Sequence, residues 1–279
     1  MNFKKFKQSI NEYSIIGGFF FGFLRHLVWL LKSPEYRTLS MLTARYSHFP
    51  RFQKMSVKLL GKDFQVPDIA SFLSTYQELF VNKIYEFKSD SDNPVILDFG
   101  ANIGLSILYF KSLYPSSTII AYEADPKIFQ LLKENVGRLP GVTLYNKAVW
   151  NETTILSFSP DGADGGRISN GKGLIEVEAV NITDVLNDTQ ADFIKMDIEG
   201  AEIDVIPSCK GRLGSTKHFF CEYHSMVNES QRLDLILSTF RDEGFRIHIQ
   251  TISPSHKPFM NRNIESGFDM QLNIFGWKD

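Results

Sequence analysis

The chain has 279 residues, enough for one large domain or for one domain with a substantial extension. Hydrophobic residues make up 43% and charged residues 22%, a globular balance, and a net charge of -2 offers no clustered Lys and Arg for a phosphate backbone, which disfavours a nucleic-acid partner. Two cysteines, Cys209 and Cys221, are too few for a disulfide framework and fit a reducing, cytoplasmic compartment.

Lys4, Lys5 and Lys7 precede an apolar run from Ile15 to Leu31 that holds Phe19, Phe20, Phe21, Phe23 and Trp29. No small-residue cleavage pattern follows, so the segment does not read as a signal peptide. Arg25 and His26 interrupt it, and a charge at mid-bilayer is costly, so a clean membrane span is not expected. The expectation is a helix packed on its own domain or in a homodimer contact, with peripheral membrane association through residues 15–31 as the alternative. Residues 1–50 are therefore assigned to a mainly helical, apolar N-terminal extension. Residues 51–92 read as a hairpin and a helix. Phe52–Leu60 and Phe64–Val66 form the hairpin around Gly61-Lys62-Asp63, and Phe72, Tyr76, Leu79, Phe80 and Ile84 recur at mostly helical spacing. Ser89–Pro94 is a polar connector whose proline stops the helix and feeds an extended run.

Residues 93–279 alternate as an α/β cofactor domain. Strands are expected at Val95–Phe99, Thr118–Glu123, Val142–Asn146, Asp192–Met196 and Lys217–Glu222, with helices over Ile103–Leu113 and Pro126–Val136. A meander, Thr154–Ser159 and Leu174–Val180, flanks a loop with five glycines between Ser159 and Gly173. A helix runs from after Asn228 to Arg241 and stops at Gly244, and Phe245–Ile252 and Met270–Trp277 form a closing pair.

The chemistry concentrates at strand ends. Asp98-Phe99-Gly100-Ala101-Asn102-Ile103-Gly104 is a glycine turn between a strand and a helix, and Glu123 closes the next strand about twenty residues on. That pattern suits an adenosine-containing cofactor, the acid accepting from the ribose hydroxyls. A nicotinamide site wants a third glycine for its pyrophosphate, and Asn102 stands where a glycine would be expected. Together with Tyr122-Glu123-Ala124-Asp125-Pro126 and Lys195-Met196-Asp197-Ile198-Glu199-Gly200-Ala201-Glu202, the turn resembles the FkbM family of S-adenosylmethionine-dependent methyltransferases over roughly residues 55–278.

The resemblance implies a Rossmann-like class I methyltransferase fold, with a mixed seven-stranded sheet and helices on both faces. It implies S-adenosylmethionine as cofactor and a methyl acceptor that is a hydroxyl of a sugar, glycan or other small natural product. On the cofactor side it points to Asp98, Gly100, Asn102, Gly104 and Glu123. Ala124 and Ala148 are candidates near the adenine. On the acceptor side Asp197, Glu199, Glu222 and His224 are the candidate catalytic residues: a hydroxyl is a weak nucleophile, and His224 is suited to general-base work. Glu222 either orients His224 or takes the proton itself, and Glu202 is a candidate substrate contact. Lys195 is expected to pair with Glu199 or Glu202. The glycine-rich loop could close over the site, with Arg167 and Ser169 as its substrate contacts. The same carboxylates are donors for a divalent metal, but no ligand spacing demands one, and a metal role stays open. The alternatives are a nicotinamide-dependent oxidoreductase and a non-catalytic cofactor-binding scaffold.

Overall fold

Capping residues set the first described elements. Ser33 accepts from the Tyr36 amide and Pro34 fills the first turn of α1 (Pro34–Tyr46), where a missing N–H costs nothing. The computed structural model describes residues 24, 26–160, 166–168, 174–227, 229–252, 257, 259–260 and 267–279. Within the expected apolar helix, residues 26–32 are helical, while 15–23 and 25 lie outside the described residues. Leu27, Val28, Trp29 and Leu31 are exposed, and His26 Nδ1 meets the Tyr36 hydroxyl at 2.9 Å. Among the described residues no helix is long and apolar enough to cross a membrane.

The hairpin is tighter than expected. β1 (Met55–Leu59) pairs with β2 (Lys62–Val66), and Leu60 and Gly61 alone turn the chain, both with positive φ. Asp68 caps α2 (Ile69–Tyr76), accepting from the Ser71 amide, and also holds Arg51 at 2.6 Å. One wide π turn, Gln77–Val81, extends the helix.

From the connector the order is β3 (Val95–Phe99), α3 (Leu105–Leu113), β4 (Thr118–Tyr122), α4 (Pro126–Val136), β5 (Val142–Tyr145), β6 (Ala148–Trp150), β7 (Thr154–Ser159), β8 (Arg167–Ile168) and β9 (Ile175–Asn181). Then come α5 (Ile182–Asp188), β10 (Phe193–Met196), α6 (Glu202–Val205), β11 (His218–Met226), α7 (Leu233–Asp242), β12 (Arg246–Thr251) and β13 (Phe268–Trp277). The main sheet is seven-stranded, in the order β12-β13-β11-β10-β3-β4-β5. Six strands run in one direction and β13 alone, between β12 and β11, runs antiparallel to them. The fold is Rossmann-like and class I, as the motifs implied. A second sheet, β6-β9-β7-β8, adds two strands that the sequence reading did not separate, and α5 and α6 were also unforeseen.

Alternation along the central strands splits the core. Ile96, Phe193 and Phe220 face one cluster, while Leu97, Ile194 and Phe219 face the other. The first cluster also takes in Leu39, Leu42, Phe64, Phe72 and Tyr76, so residues 51–92 share a core with the sheet rather than forming one of their own. Asn135 on α4 fastens this packing: its amide spans the Gln65 backbone and the Ile103 carbonyl.

Candidate active site

Register assembles the site. Phe99 pairs with Tyr122 and with Met196, and Met196 pairs with Cys221, so the next residues, Gly100, Glu123, Asp197 and Glu222, form a row along one sheet edge. Neighbours β10 and β3 leave the sheet in opposite directions of strand order, the switch point where open α/β sheets bind ligands. A cavity of about 270 Å³ opens there, and all four residues line it.

The glycine turn is dictated by crowding. Gly100 has φ +82°, and a Cβ there would stand 1.8 Å from the Asp197 carbonyl oxygen. Asn102 adopts φ +47°, a conformation asparagine tolerates better than most residues, and its amide donates to Glu123 Oε2 at 2.8 Å. Gly104 was expected on the cofactor, but it is not among the described residues lining the cavity. A Cβ there would come within 2.9–3.0 Å of Leu132 and Val136, so this glycine lets α3 start against α4.

Glu123 is 9% exposed, its Oε1 accepting from the Asp125 amide at 2.9 Å. Burial pushes its carboxyl up to about 7, against the two amides and Lys195, which favour the charged form. Asp125 caps α4 through the Lys127 and Ile128 amides. Ala124, Ala148 and Val149, with Tyr122, Phe158 and Ile168, give this end of the cavity an apolar wall.

Asp98 does not reach the cavity. Expected on the cofactor side, it is fully buried, takes the Ser106 hydroxyl at 2.5 Å, lies 3.4 Å from Lys195 Nζ and is not among the described residues lining the cavity. Lys195 pairs with Asp98 and Asp197, each at 3.4 Å, rather than with Glu199 or Glu202. The cause is register, since Lys195 stands directly beside Asp98 in the sheet. It also donates to the Gly100 carbonyl at 2.6 Å. Burial alone would lower its pKa, but the two carboxylates outweigh burial and raise it, so Lys195 is a fixed cation behind the turn.

On the acceptor side Asp197, Glu199 and Glu222 line the cavity, whereas Glu202 and His224 stand behind them. Glu202 is fully buried and accepts from the Ile198 amide at 3.0 Å and the Gly200 amide at 3.1 Å. It therefore holds the turn that carries Glu199, itself at φ +55°, and is not among the described residues lining the cavity, where a substrate contact was expected. His224 is 2% exposed. Its Nδ1 lies 3.3 Å from Glu202 Oε1, and its Nε2 lies 3.3 Å from Glu222 Oε1 and 3.6 Å from Glu199 Oε2. Burial opposes charge on the ring, but Glu202, Glu222 and Glu199 outweigh it and hold the imidazole well above its ordinary pKa. The ring expected as a general base is therefore not among the described residues that line the cavity and stands behind Glu199 and Glu222. Burial also raises the carboxyls of Glu199 and Glu222, with His224 pulling the other way. Asp197, Glu199 and His224 each offer one ligand atom, all within 4.8 Å of one another, and so could hold a metal.

Of the loop, Gly166 and Ile168 line the cavity, but Arg167 does not: its guanidinium sits 5.8 Å from the Phe268 ring centre, the ring against which His224 packs at 4.8 Å. Ser169 lies outside the described residues. One wall was missed. Asp68, Ser71, Ser74, Thr75 and Glu78 line the cavity from α2 and its π turn, and their three- and four-residue spacing was readable as a polar stripe opposite the apolar one.

The residues fit S-adenosylmethionine. A carboxylate on the strand end suits a ribose diol, small and apolar side chains suit an adenine, and acids along β10 and β11 suit a sulfonium. The family model described as the methyltransferase FkbM domain matches residues 98–247. Among curated relatives, the 2-O-methyltransferase NoeI of Sinorhizobium fredii is 30% identical over 157 residues, covering 48% of this chain and 65% of that one. The hexuronic acid methyltransferase AglP of Haloferax volcanii is 23% identical over 171 residues, covering 56% and 70%. The chain thus spans just under two thirds of the length of NoeI. A crystal structure of a methyltransferase FkbM from Methylobacillus flagellatus superposes loosely, with a TM-score of 0.45 and 16% identity over 74% of this chain and 53% of that one. Since the family model takes in more than half of the chain, from the glycine turn through the acids of β11, the chain belongs to the FkbM family of methyltransferases.

Proposed function

We propose that this protein transfers a methyl group from S-adenosylmethionine to a hydroxyl oxygen of a sugar, a glycan or another small natural product. The observation that carries the reading is the row Gly100, Glu123, Asp197 and Glu222, which sets a ribose acid and acceptor acids at two ends of one cavity. S-adenosylmethionine supplies an electrophilic methyl group on a sulfonium that leaves as a neutral thioether. Glu123 accepts from the ribose hydroxyls, and the wall of Ala124, Ala148 and Val149 receives the adenine. Glu222, which lines the cavity, takes the acceptor hydroxyl's proton as the new C–O bond forms. Asp197 and Glu199 orient the hydroxyl beside it. Ser71, Ser74, Thr75 and Glu78 give the opposite wall donors and acceptors that match a polyhydroxylated molecule. The names of NoeI and AglP, a 2-O-methyltransferase and a hexuronic acid methyltransferase, support an acceptor of this class. A non-catalytic scaffold is disfavoured because the acids line a cavity instead of facing open solvent. The exposed Leu27, Val28, Trp29 and Leu31 are the side chains through which the protein would meet a membrane surface or a second copy, which liposome flotation and light scattering distinguish.

The test is to incubate the purified protein with methyl-labelled S-adenosylmethionine and fractionated saccharides. An alkali-stable methyl ether is expected. Label in an alkali-labile methyl ester would overturn hydroxyl transfer, and tight cofactor binding without any transfer across the fractions would favour a scaffold.

A further inference from the structure

Two polar atoms in the acceptor cluster have no hydrogen-bond partner among the described residues. Asp197 Oδ1 is buried with no partner, and the buried His224 Nε2 has carboxylate oxygens of Glu222 and Glu199 at 3.3 and 3.6 Å but no hydrogen bond of good geometry to either. Native folds leave few such atoms unpaired. Both belong to the group whose ligand atoms, with one from Glu199, lie within 4.8 Å of one another, a spacing that a single ion with ligands at about 2.0–2.4 Å can bridge.

The surroundings prepare these atoms for an ion. Lys195 engages Asp197 Oδ2 at 3.4 Å, which leaves Oδ1 turned to the cluster. Glu202 faces His224 Nδ1 at 3.3 Å, so the proton of a neutral ring belongs on Nδ1 and the lone pair on Nε2. A carboxylate behind an imidazole in this way is how metal-bound histidines are commonly oriented. Glu202 is held in turn by the Ile198 and Gly200 amides, so ligand and orienting residue share one rigid turn. An ion at Nε2 displaces the second proton of the ring, which leaves Lys195 as the one cation against the carboxylates of Asp98, Asp197, Glu199, Glu202 and Glu222, an excess of negative charge that favours a metal cation. Sequence spacing did not show this, because the three ligands come from the end of β10, the turn after it and the middle of β11.

We propose that Asp197, Glu199 and His224 bind one divalent cation. Two carboxylates and one imidazole suit a first-row divalent ion, with Mn²⁺ as a spectroscopic probe and Zn²⁺ the tighter binder in the general affinity order. Its role rests on the methyltransferase reading, whereas its binding does not. The side of the cluster facing the cavity is open to the acceptor oxygen. Coordination there acidifies the hydroxyl, whose proton passes to the Glu222 carboxylate. An oxygen lone pair then forms the bond to the methyl carbon, and the C–S pair returns to sulfur, turning the sulfonium into a neutral thioether. Glu222 later gives its proton to water, and the ion is unchanged.

The experiment titrates Mn²⁺ into full-length protein stripped by chelation and dialysis, following the loss of the free-ion electron paramagnetic resonance signal. One ion per chain is expected, displaced by Zn²⁺. Glu199→Gln and Asp197→Asn, checked for folding by circular dichroism, should each weaken binding by about tenfold or more. Asp197 is paired with the buried Lys195 and Glu199 is not, so the Glu199 variant remains informative if the Asp197 variant fails to fold. Absence of a stoichiometric site in the folded parent, or unchanged binding in folded Glu199→Gln, would overturn the site. Calorimetry with S-adenosylhomocysteine on the stripped protein keeps the two readings apart, since retained binding leaves the methyltransferase reading standing where the metal fails. Methyl transfer that persists after metal analysis confirms removal would overturn the catalytic role.

Discussion

At the β4 end of the cavity, each oxygen of Glu123 accepts a backbone amide, from Asn102 and from Asp125, and Asp125 is spent on capping α4. At the β10–β11 end, carboxylates crowd one imidazole, and Asp197 Oδ1 and His224 Nε2 make no hydrogen bond of good geometry among the described residues. Amides fixed by a turn hold a carboxylate in one geometry whatever is bound. A charge cluster balanced only in part keeps its shape through the turn beneath it and retains polar capacity for a ligand. On the proposed reading, the first end docks the ribose in a fixed geometry and the second responds to the acceptor that enters it.

Gly100 is where the two ends touch, so its replacement should break the comparison most severely. In Gly100→Ala the methyl group meets the Asp197 carbonyl at 1.8 Å and also demands a left-handed backbone. Either β3 or β10 must move. A destabilisation of about 4–5 kcal/mol is expected, the exceptional end for one substitution, read by chemical denaturation. A loss below about 1 kcal/mol would mean that the strand ends separate easily and that the shared edge is not rigid.

Glu202→Ala attacks the acceptor end alone. It removes the partner of two amides and of the His224 ring from a fully buried place, which should cost about 3–4 kcal/mol in stability. Affinity for S-adenosylhomocysteine should fall much less, because Glu123 and its amides are untouched. Equal damage to both ends would show them to be one coupled network.

These residues also mark what the sequence could and could not reveal. The row at the sheet edge was legible, because apolar runs ending in Gly100, Glu123, Asp197 and Glu222 must converge in a parallel sheet. Depth behind that edge was not. Asp98, Glu202 and His224 differ from their neighbours only in facing inward, and that depends on register and on a turn with positive φ at Glu199 and Gly200. The Lys195–Asp98 pair is likewise a matter of strand pairing, invisible along a single strand. β6 and β8 are three and two residues long and show no period to read. The hairpin turn shifted because Leu60 takes a left-handed conformation that its residue type does not advertise. On α2 the strong apolar repeat masked the polar stripe of Ser71, Thr75 and Glu78 beside it.

Glu123→Ala tests the cofactor end directly. If Glu123 accepts from the ribose diol as proposed, its removal should weaken S-adenosylhomocysteine binding by about 1.5–3 kcal/mol, measured by calorimetry on protein whose fold is verified. The same variant frees the Asn102 and Asp125 amides, which can turn to water at the cavity wall, so the loss in stability should be smaller than for Glu202→Ala. Unchanged affinity in a folded protein would remove Glu123 from the cofactor site.

The mildest test leaves the sequence intact and changes the pH. Burial sets the Glu123 carboxyl at about 7, so between pH 8 and pH 6 it passes from mostly charged to mostly protonated. Ribose hydroxyls donate to the charged form more strongly, so binding favours the carboxylate and must expel a proton when the free protein carries one. Affinity for S-adenosylhomocysteine should therefore be greatest above pH 7 and fall by about tenfold by pH 6, equivalent to about 1.4 kcal/mol. Calorimetry at pH 6 in two buffers of different ionisation enthalpy should register the released proton. The acceptor carboxylates titrate as well, and Glu123→Gln separates the two ends: without an ionisable group at residue 123 the slope should flatten, although affinity is lower throughout. A slope that survives in Glu123→Gln would assign the pH response to the acceptor cluster, and the end held by backbone amides would then be the one indifferent to protons.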